Sequence, residues 1–148
     1  MNKNLDIYLA NLAVNYIKLH NLHWNVIGRR FKQTHEYLED MYDETTVSLD
    51  EVAEYQKMVG EYPKASLKDY LKITTIKELE SKDYNDDEAY QIALDDQKLM
   101  RELATEIRNE ADEKGEFTLV ALMEDEVAAQ NKHIWFIEST LKGKEDLI

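Results

Sequence analysis

The amino-acid sequence predicts an all-α fold in which four long helices form one domain spanning residues 1–148. The 148 residues include only four glycines and one proline, which favours long uninterrupted helices. Each glycine follows a segment in which apolar residues recur at steps of three and four, as on the buried face of a bundle helix. No segment shows the sustained alternation of apolar and polar residues that predicts a β-strand. A chain of this length fits one domain with one core.

Glycines also mark where the predicted helices end, because glycine readily adopts the left-handed conformation that commonly follows a helix. These glycines are Gly28, Gly60, Gly115 and Gly143. The stripe of the second segment contains Phe31, His35, Leu38, Tyr42, Thr45, Leu49 and Val52, and that of the fourth contains Leu119, Met123, Val127, Gln130, Ile134, Ile137 and Leu141.

The connections between the predicted helices differ in length. Tight turns join the first helix to the second and the third to the fourth, so each pair is expected to be antiparallel. Residues 61–84 form a long crossover, in which Ser66 with Asp69 predicts the start of a short helix. Asn85 with Glu88 predicts a capping box at the start of the third long helix.

The chain is strongly acidic, with 31 aspartates and glutamates against 18 lysines and arginines and a net charge of −13 at pH 7. Such a surface repels nucleic-acid phosphates and attracts cations, although solubility alone would also explain the charge. The lack of cysteine excludes disulfides, thiolate metal sites and cysteine nucleophiles. The sequence shows no leader and no apolar run long enough to span a bilayer, so we expect a cytoplasmic protein.

Five potential metal ligands lie on or beside the second predicted helix. His23, near the end of the first helix, faces His35 across the tight turn, and Glu39 shares a helix face with His35. Asp50 and Glu54 form a second four-spaced pair further along. Histidine and carboxylate ligands without sulfur suit iron, manganese or zinc. Taken singly, each histidine would equally fit a hydrogen-bonded interface, and the pair Asp50 and Glu54 a solvated helix edge.

Distance separates these ligands into two groups. Asp50 follows His35 by 15 residues, which is roughly 22 Å along a helix, whereas metal–ligand bonds are about 2 Å long. One ion cannot contact both residues, so joint action requires the second helix of another subunit, running antiparallel in a two-fold dimer. Di-iron sites inside one four-helix subunit use Glu-x-x-His motifs, and no histidine here follows a glutamate by three residues.

These residues and intervals resemble those of the Dps miniferritins. The resemblance rests on His23-Trp24-Asn25-Val26-Ile27-Gly28, Phe31, His35-Glu36, Asp50 and Ala53-Glu54, and on Lys132-His133-Ile134-Trp135 near the C-terminus. The order of two helical hairpins joined by one long crossover is the ferritin-like arrangement. The resemblance therefore extends over nearly the whole chain.

The resemblance implies an iron-storing dodecamer with tetrahedral symmetry, built from two-fold dimers. Fe²⁺ would be oxidised, commonly by hydrogen peroxide and otherwise by oxygen, at inter-subunit sites that each hold two iron ions. Carried over by position, His23, His35, Asp50 and Glu54 are the ligands and catalytic residues. Glu39 stands where the family often has an aspartate, and it would be a ligand or a nearby base. The ferric mineral would accumulate inside the shell.

Other side chains are candidates for steps around that chemistry. Trp24 would lie beside the site and take up oxidising radicals, unless it only packs. Asp43 and Glu44 would help to seed mineral on the inner wall. Glu124 and Asp125, near the start of the last helix, would line pores that admit Fe²⁺, or else only favour the helix dipole.

Two departures from the family pattern bear on function. Tyr55 follows Glu54 where many members have an arginine. The chain also enters its first predicted helix directly after Met1-Asn2-Lys3-Asn4, without the lysine-rich tail of DNA-binding members. With the acidic surface, this predicts no strong DNA binding. The alternatives left open are a DNA-protecting or peroxide-resistance shell that stores little iron, and a plain helical interaction module.

Overall fold

The computed structural model of the chain, which describes residues 2–142, confirms the predicted all-α bundle with a short helix in its crossover. The elements in chain order are α1 (Lys3–Asn25), β1 (Val26–Ile27), α2 (Phe31–Met58), α3 (Leu67–Ile73), β2 (Tyr84–Asn85), α4 (Asp86–Glu113) and α5 (Phe117–Leu141). The predicted stop at Gly143 lies outside the described residues. None of the helices in residues 2–142 combines the length and the apolar character needed to cross a membrane.

The bundle consists of two helical hairpins, α1 with α2 and α4 with α5, which meet where α1 packs against α4. Its core has two apolar clusters. One surrounds Leu9 and Met123, at the end where α1 begins. The other surrounds Leu22 and Ile137, near the turn from α1 to α2. The apolar stripes predicted from the sequence supply most of both clusters, with Phe31 as an exception because its side chain is exposed.

The helix ends follow the predicted capping residues. Gly60 and Gly115 adopt positive φ angles of 83° and 68° directly after α2 and α4. In each case two backbone N–H groups turn back onto carbonyls of the last helical turn, as Gly60 and Glu61 do onto Lys57 and Gln56. The capping box at the start of α4 is present, and Ser66 caps α3. These ends fix where the long helices start and stop.

A short parallel bridge, absent from the sequence prediction, connects the first hairpin to the second. Val26 pairs with Tyr84 and Ile27 pairs with Asn85, so β1 and β2 join the end of α1 to the start of α4. Two residues are too few to show a period of two, which is why the apolar pattern gave no sign of them. The bridge closes the crossover at the end of the bundle where His23 lies.

Gly28, directly after this bridge, needs the freedom of glycine. Its φ is 130°, and an added Cβ would lie 3.3 Å from Oδ2 of Asp86. Arg30 donates to the same carboxylate from Nε over 3.0 Å and to Asp87 from Nη2 over 2.8 Å. Negative charge at the first turn of α4 is also favoured by the helix dipole. The turn into α2 is therefore tied to the start of α4.

Asn11, on α1, holds the other part of the crossover. Its side chain is fully buried. Its Oδ1 accepts hydrogen bonds from the hydroxyl of Thr74 and the backbone N–H of Thr75, and its Nδ2 donates to the Thr75 hydroxyl. The amide of Asn11 thus forms hydrogen bonds with the two residues through which the chain leaves α3.

We predict that Asn11→Ala loosens the crossover without unfolding the bundle. Loss of three hydrogen bonds, part of which water replaces at the protein surface, should lower the free energy of unfolding by roughly 1–3 kcal/mol. Limited proteolysis should cut residues 61–84 faster, and thermal unfolding should begin at a lower temperature. Asn109→Ala, at an exposed position on α4, is the matched control. Equal cleavage rates in the two variants would contradict the role given to Asn11.

Candidate metal centre

His23 and His35 are held together by two reciprocal hydrogen bonds across the turn from α1 to α2. Nδ1 of His23 lies 2.6 Å from the backbone carbonyl of His35, and Nδ1 of His35 lies 2.6 Å from the carbonyl of His23. The two rings stack at a centroid distance of 3.6 Å. His23 is buried and His35 is half-buried. The histidines that the sequence predicted to meet are therefore neighbours.

These hydrogen bonds determine which ring nitrogen carries the proton. A carbonyl only accepts, so the Nδ1 atom of each histidine must donate. In the neutral rings the lone pair then resides on Nε2, which is the arrangement found when a histidine binds a metal and its other nitrogen donates to a backbone carbonyl. The pair presents two oriented nitrogen ligands from a rigid turn.

Glu39 lies next to this pair, with its Oε1 3.9 Å from Nε2 of His23 and about half of its side chain exposed. We call His23, His35 and Glu39 the histidine half-site. Trp24 follows His23 in the chain and is 66% exposed, and its ring lies 5.3 Å from that of His20. An exposed tryptophan beside oriented ligands fits either a surface that another chain covers or a side chain that oxidants reach.

Asp50 and Glu54 lie near the opposite end of α2, and we call them the carboxylate half-site. Both are exposed. A hydrogen bond with Asp50 and the charge of Asp50 raise the pKa of Glu54 above its usual value. A cation placed there would relieve the repulsion between the two carboxylates.

One subunit does not bring the two half-sites together. Helix α2 runs unbroken from Phe31 to Met58, which keeps His35 and Asp50 roughly 22 Å apart. Within residues 2–142, no three histidine, aspartate or glutamate side chains approach closely enough to hold a metal ion. The donor set itself, with imidazole nitrogens at one end of α2 and paired carboxylates at the other, fits iron.

The remaining predicted residues lie elsewhere. Tyr55, at the position after Glu54, is buried, and its hydroxyl donates to Glu116 over 3.3 Å, which joins α2 to the turn before α5. Glu124 accepts from Arg108 over 3.1 Å. Its charge is therefore partly compensated, whereas no ion pair in the described part of the chain includes Asp125, and both side chains are exposed.

His133 takes part in a polar chain that links α5 to α2. Its Nδ1 lies 2.6 Å from the hydroxyl of Tyr37, and its Nε2 contacts the carboxylate of Glu44. The hydrogen bond from His133 lowers the pKa of Glu44. Both nitrogens of His133 are occupied, which suits a connecting role. Asp43, the other residue predicted to seed mineral, is exposed and forms no ion pair within residues 2–142.

The sequence analysis missed a buried polar network inside the bundle. Glu126 accepts hydrogen bonds from the hydroxyls of Tyr8 and Ser48 over 2.6 and 2.8 Å, and Gln130 donates to Tyr8 over 2.8 Å. Burial raises the pKa of Glu126. A signal was present, because Glu126 lies three residues after Met123 and four before Gln130 and so falls on the predicted apolar stripe.

Comparison with known proteins identifies relatives along the whole chain. The ferritin-like domain family matches residues 2–145. A DNA protection during starvation protein of Helicobacter pylori is 30% identical over 132 residues, which are 89% of this chain and 92% of that protein. The crystal structure of antigen TpF1 from Treponema pallidum has a TM-score of 0.93 at 32% identity and covers 95% of this chain and 90% of that one.

The description of a further structural neighbour mentions a metal centre. The Dps protein of Vibrio cholerae is described as a member of a broad superfamily of ferritin-like diiron-carboxylate proteins. Its structure has a TM-score of 0.90 at 29% identity, covering 94% of this chain and 87% of that one.

We predict that Asp50→Asn lowers the pKa of Glu54. The asparagine amide carries no charge and can donate to the Glu54 carboxylate, so both contributions of Asp50 to the raised pKa are removed. Infrared titration of metal-free protein labelled with ¹³C-glutamate, with the Glu54→Gln spectrum subtracted, should show Glu54 ionising at lower pH in the variant. Asp43→Asn, on the same helix, should leave the titration unchanged. Identical Glu54 titrations in wild type and Asp50→Asn would contradict the coupling.

Proposed function

The chain belongs to the ferritin-like domain family, as a Dps protein, and we propose that it oxidises Fe²⁺ at inter-subunit sites and stores the ferric product. The observation that supports this proposal most strongly is the pair of half-sites at opposite ends of α2. Each half has ligands that suit iron, and neither half is complete. The proposal joins the histidine half-site of one subunit to the carboxylate half-site of its partner.

Two-fold symmetry makes this joining possible. If α2 packs antiparallel against its copy, the end that bears His35 lies beside the end that bears Asp50, and the same contact occurs twice. Large apolar side chains on the outside of the single subunit support assembly, because soluble monomers rarely expose many of them. They include Phe117, Tyr62, Leu67, Trp24 and Trp135, each at least 65% exposed. A dodecamer enclosing a cavity is the assembly we propose.

Iron is the substrate of this reaction, with two ions at each site. Two Fe²⁺ ions each give up one electron to one hydrogen peroxide, whose O–O bond breaks to yield two waters after two protons are taken up. Oxygen is the alternative oxidant. His23 and His35 of one subunit bind iron through their Nε2 atoms, while the carboxylate half-site of the other subunit offsets the increased positive charge of Fe³⁺. Hydrolysis of Fe³⁺ then releases protons, and we propose that Glu39 accepts one of them.

The acidic surface supports uptake of the substrate. A net charge of −13 per chain attracts Fe²⁺ and speeds its arrival, most strongly at low ionic strength. We propose that Asp125 belongs to an entry path and that Asp43 contributes to mineral nucleation. The proposed location remains the cytoplasm.

A DNA-protecting shell that stores little iron is the second candidate. The name of the Helicobacter pylori relative supports it, since that protein is called a DNA protection during starvation protein. The charge of this chain argues against direct binding, because affinity for DNA depends on cations that neutralise phosphates. Peroxide resistance without storage would use the same half-sites, so iron retention in the shell separates these functions.

Complementation tests the inter-subunit site directly. We expect His35→Ala and Asp50→Ala shells each to lose most peroxide-driven Fe²⁺ oxidation. In a mixed dimer one site combines both substitutions and the other has neither. Random co-assembly in equal amounts should therefore restore about a quarter of wild-type activity, since half of the dimers are mixed and one of their two sites is intact.

The control mixes wild type with the double variant His35→Ala/Asp50→Ala, in which no mixed dimer contains an intact site. Only the wild-type dimers then contribute, so about a quarter of the activity should remain, whereas sites within single subunits would retain about half. Native mass spectrometry should show equal assembly in every sample. No recovery in the His35→Ala and Asp50→Ala mixture, despite verified mixed shells, would overturn the inter-subunit site.

We also predict weak DNA binding. In metal-free buffer of low ionic strength, the wild-type shell should leave plasmid mobility unchanged at micromolar concentrations, because acidic surfaces repel phosphates. A variant carrying a lysine-rich N-terminal extension should retard the same plasmid. Tight retention by the wild-type protein without added metal would favour the DNA-protecting function instead.

A further inference from the structure

A polar cavity of about 50 Å³ lies inside the bundle, apart from both half-sites. All four long helices contribute to its wall. The polar side chains among its lining residues are Asn15 from α1, Glu44, Thr45 and Ser48 from α2, Gln97 from α4, and Glu126, Gln130 and His133 from α5. Along the helices it lies between the two apolar clusters of the core.

Glu126 supplies a buried carboxylate to this cavity. The residue is 8% exposed, and its two oxygens accept from the hydroxyls of Tyr8 and Ser48. None of the ion pairs formed among residues 2–142 includes Glu126. Two neutral hydroxyl donors only partly offset the cost of burying a carboxylate.

The direction of the hydrogen bonds leaves further acceptors in the wall. Tyr8 has one hydroxyl proton and donates it to Glu126, so its oxygen accepts from Nε2 of Gln130. This fixes the orientation of the Gln130 amide and leaves its Oε1 buried without a partner. Oδ1 of Asn15 is likewise buried and without a partner. Gln130 is 6% exposed and Asn15 is 4% exposed.

The cavity therefore brings together a carboxylate and two unpartnered amide oxygens, which all accept. Unsatisfied buried acceptors are rare and costly, so such a wall needs a donor or a cation. His133 does not provide an imidazole ligand to the cavity, because Tyr37 and Glu44 already occupy both of its ring nitrogens. Carboxylate, amide and hydroxyl oxygens are hard ligands and favour magnesium- and manganese-like cations over softer metals.

We propose that the bundle interior holds a second cation site, specific for one small hard divalent cation per subunit and bound by Glu126, Gln130 and Asn15. This site differs from an internal di-iron centre, since it uses amide oxygens and lacks histidine ligands. A single ion with a retained water fits the volume, because a buried water needs only about 10–15 Å³ of accessible space. The ion would connect α1 and α5 at the centre of the bundle.

Mn²⁺ is the probe, because its electron paramagnetic resonance signal counts bound ions per subunit in the assembled, iron-free shell. Wild type should bind one more Mn²⁺ per subunit than Glu126→Gln, which keeps the shape of the side chain and removes its charge. Glu106→Gln, an exposed position on α4, should bind as wild type does. Sites between subunits contribute equally to all three proteins, so the difference reports the cavity alone.

Gln130→Glu is the second variant, and it keeps the test decisive if Glu126→Gln fails to assemble. It turns an amide oxygen into a second charged ligand, so Mn²⁺ binding in the cavity should tighten by roughly tenfold or more. Mn²⁺ should also raise the melting temperature of this variant more than that of wild type. Equal Mn²⁺ counts in wild type and Glu126→Gln, or no tightening in Gln130→Glu, would show that the cavity holds only water and would overturn the proposal.

Discussion

The rigidity of α2 is the constraint on which the proposed function depends. A helix advances about 1.5 Å per residue, and α2 continues without a break from Phe31 to Met58. No side chain at one end can reach a ligand at the other. A bundle with this helix therefore has two options for metal chemistry, to gather ligands within its interior or to share them across a two-fold axis. The function proposed for His35 and Asp50 uses the second option.

The interior of the bundle, where the first option would gather metal ligands, contains a polar network instead. Where four-helix proteins can place metal ligands, this chain has Glu126 with hydroxyl and amide neighbours and a small cavity. The hydrogen bonds from Tyr8 and Ser48 span three helices. Such a network specifies how the helices align along their length, because sliding one helix by a turn would leave a buried carboxylate without donors. One subunit thus contains both a buried polar network in its interior and exposed ligand groups at the two ends of α2.

Much of this architecture could be predicted from the sequence, since its signals are local or periodic. Gly60 and Gly115 mark helix ends through their own backbone preference, and Asn85 with Glu88 forms its capping box within four residues. The bridge from β1 to β2 could not be predicted in this way, because it depends on contacts between distant segments. Phe31 fits the helical period but lies at the first turn of α2, where the core no longer covers it.

The sequence predicted which residues form the histidine half-site but not how their rings are oriented. Intervals placed His23 beside His35, but the two carbonyl hydrogen bonds that orient their rings follow from the backbone of the turn and are invisible in a residue pattern. Those hydrogen bonds also determine whether the ligands keep their geometry when no iron is bound. Since main-chain atoms orient the imidazoles, the geometry of the histidine half-site needs no bound iron to form. In the proposed shell, iron could be loaded and released repeatedly without rebuilding these ligands.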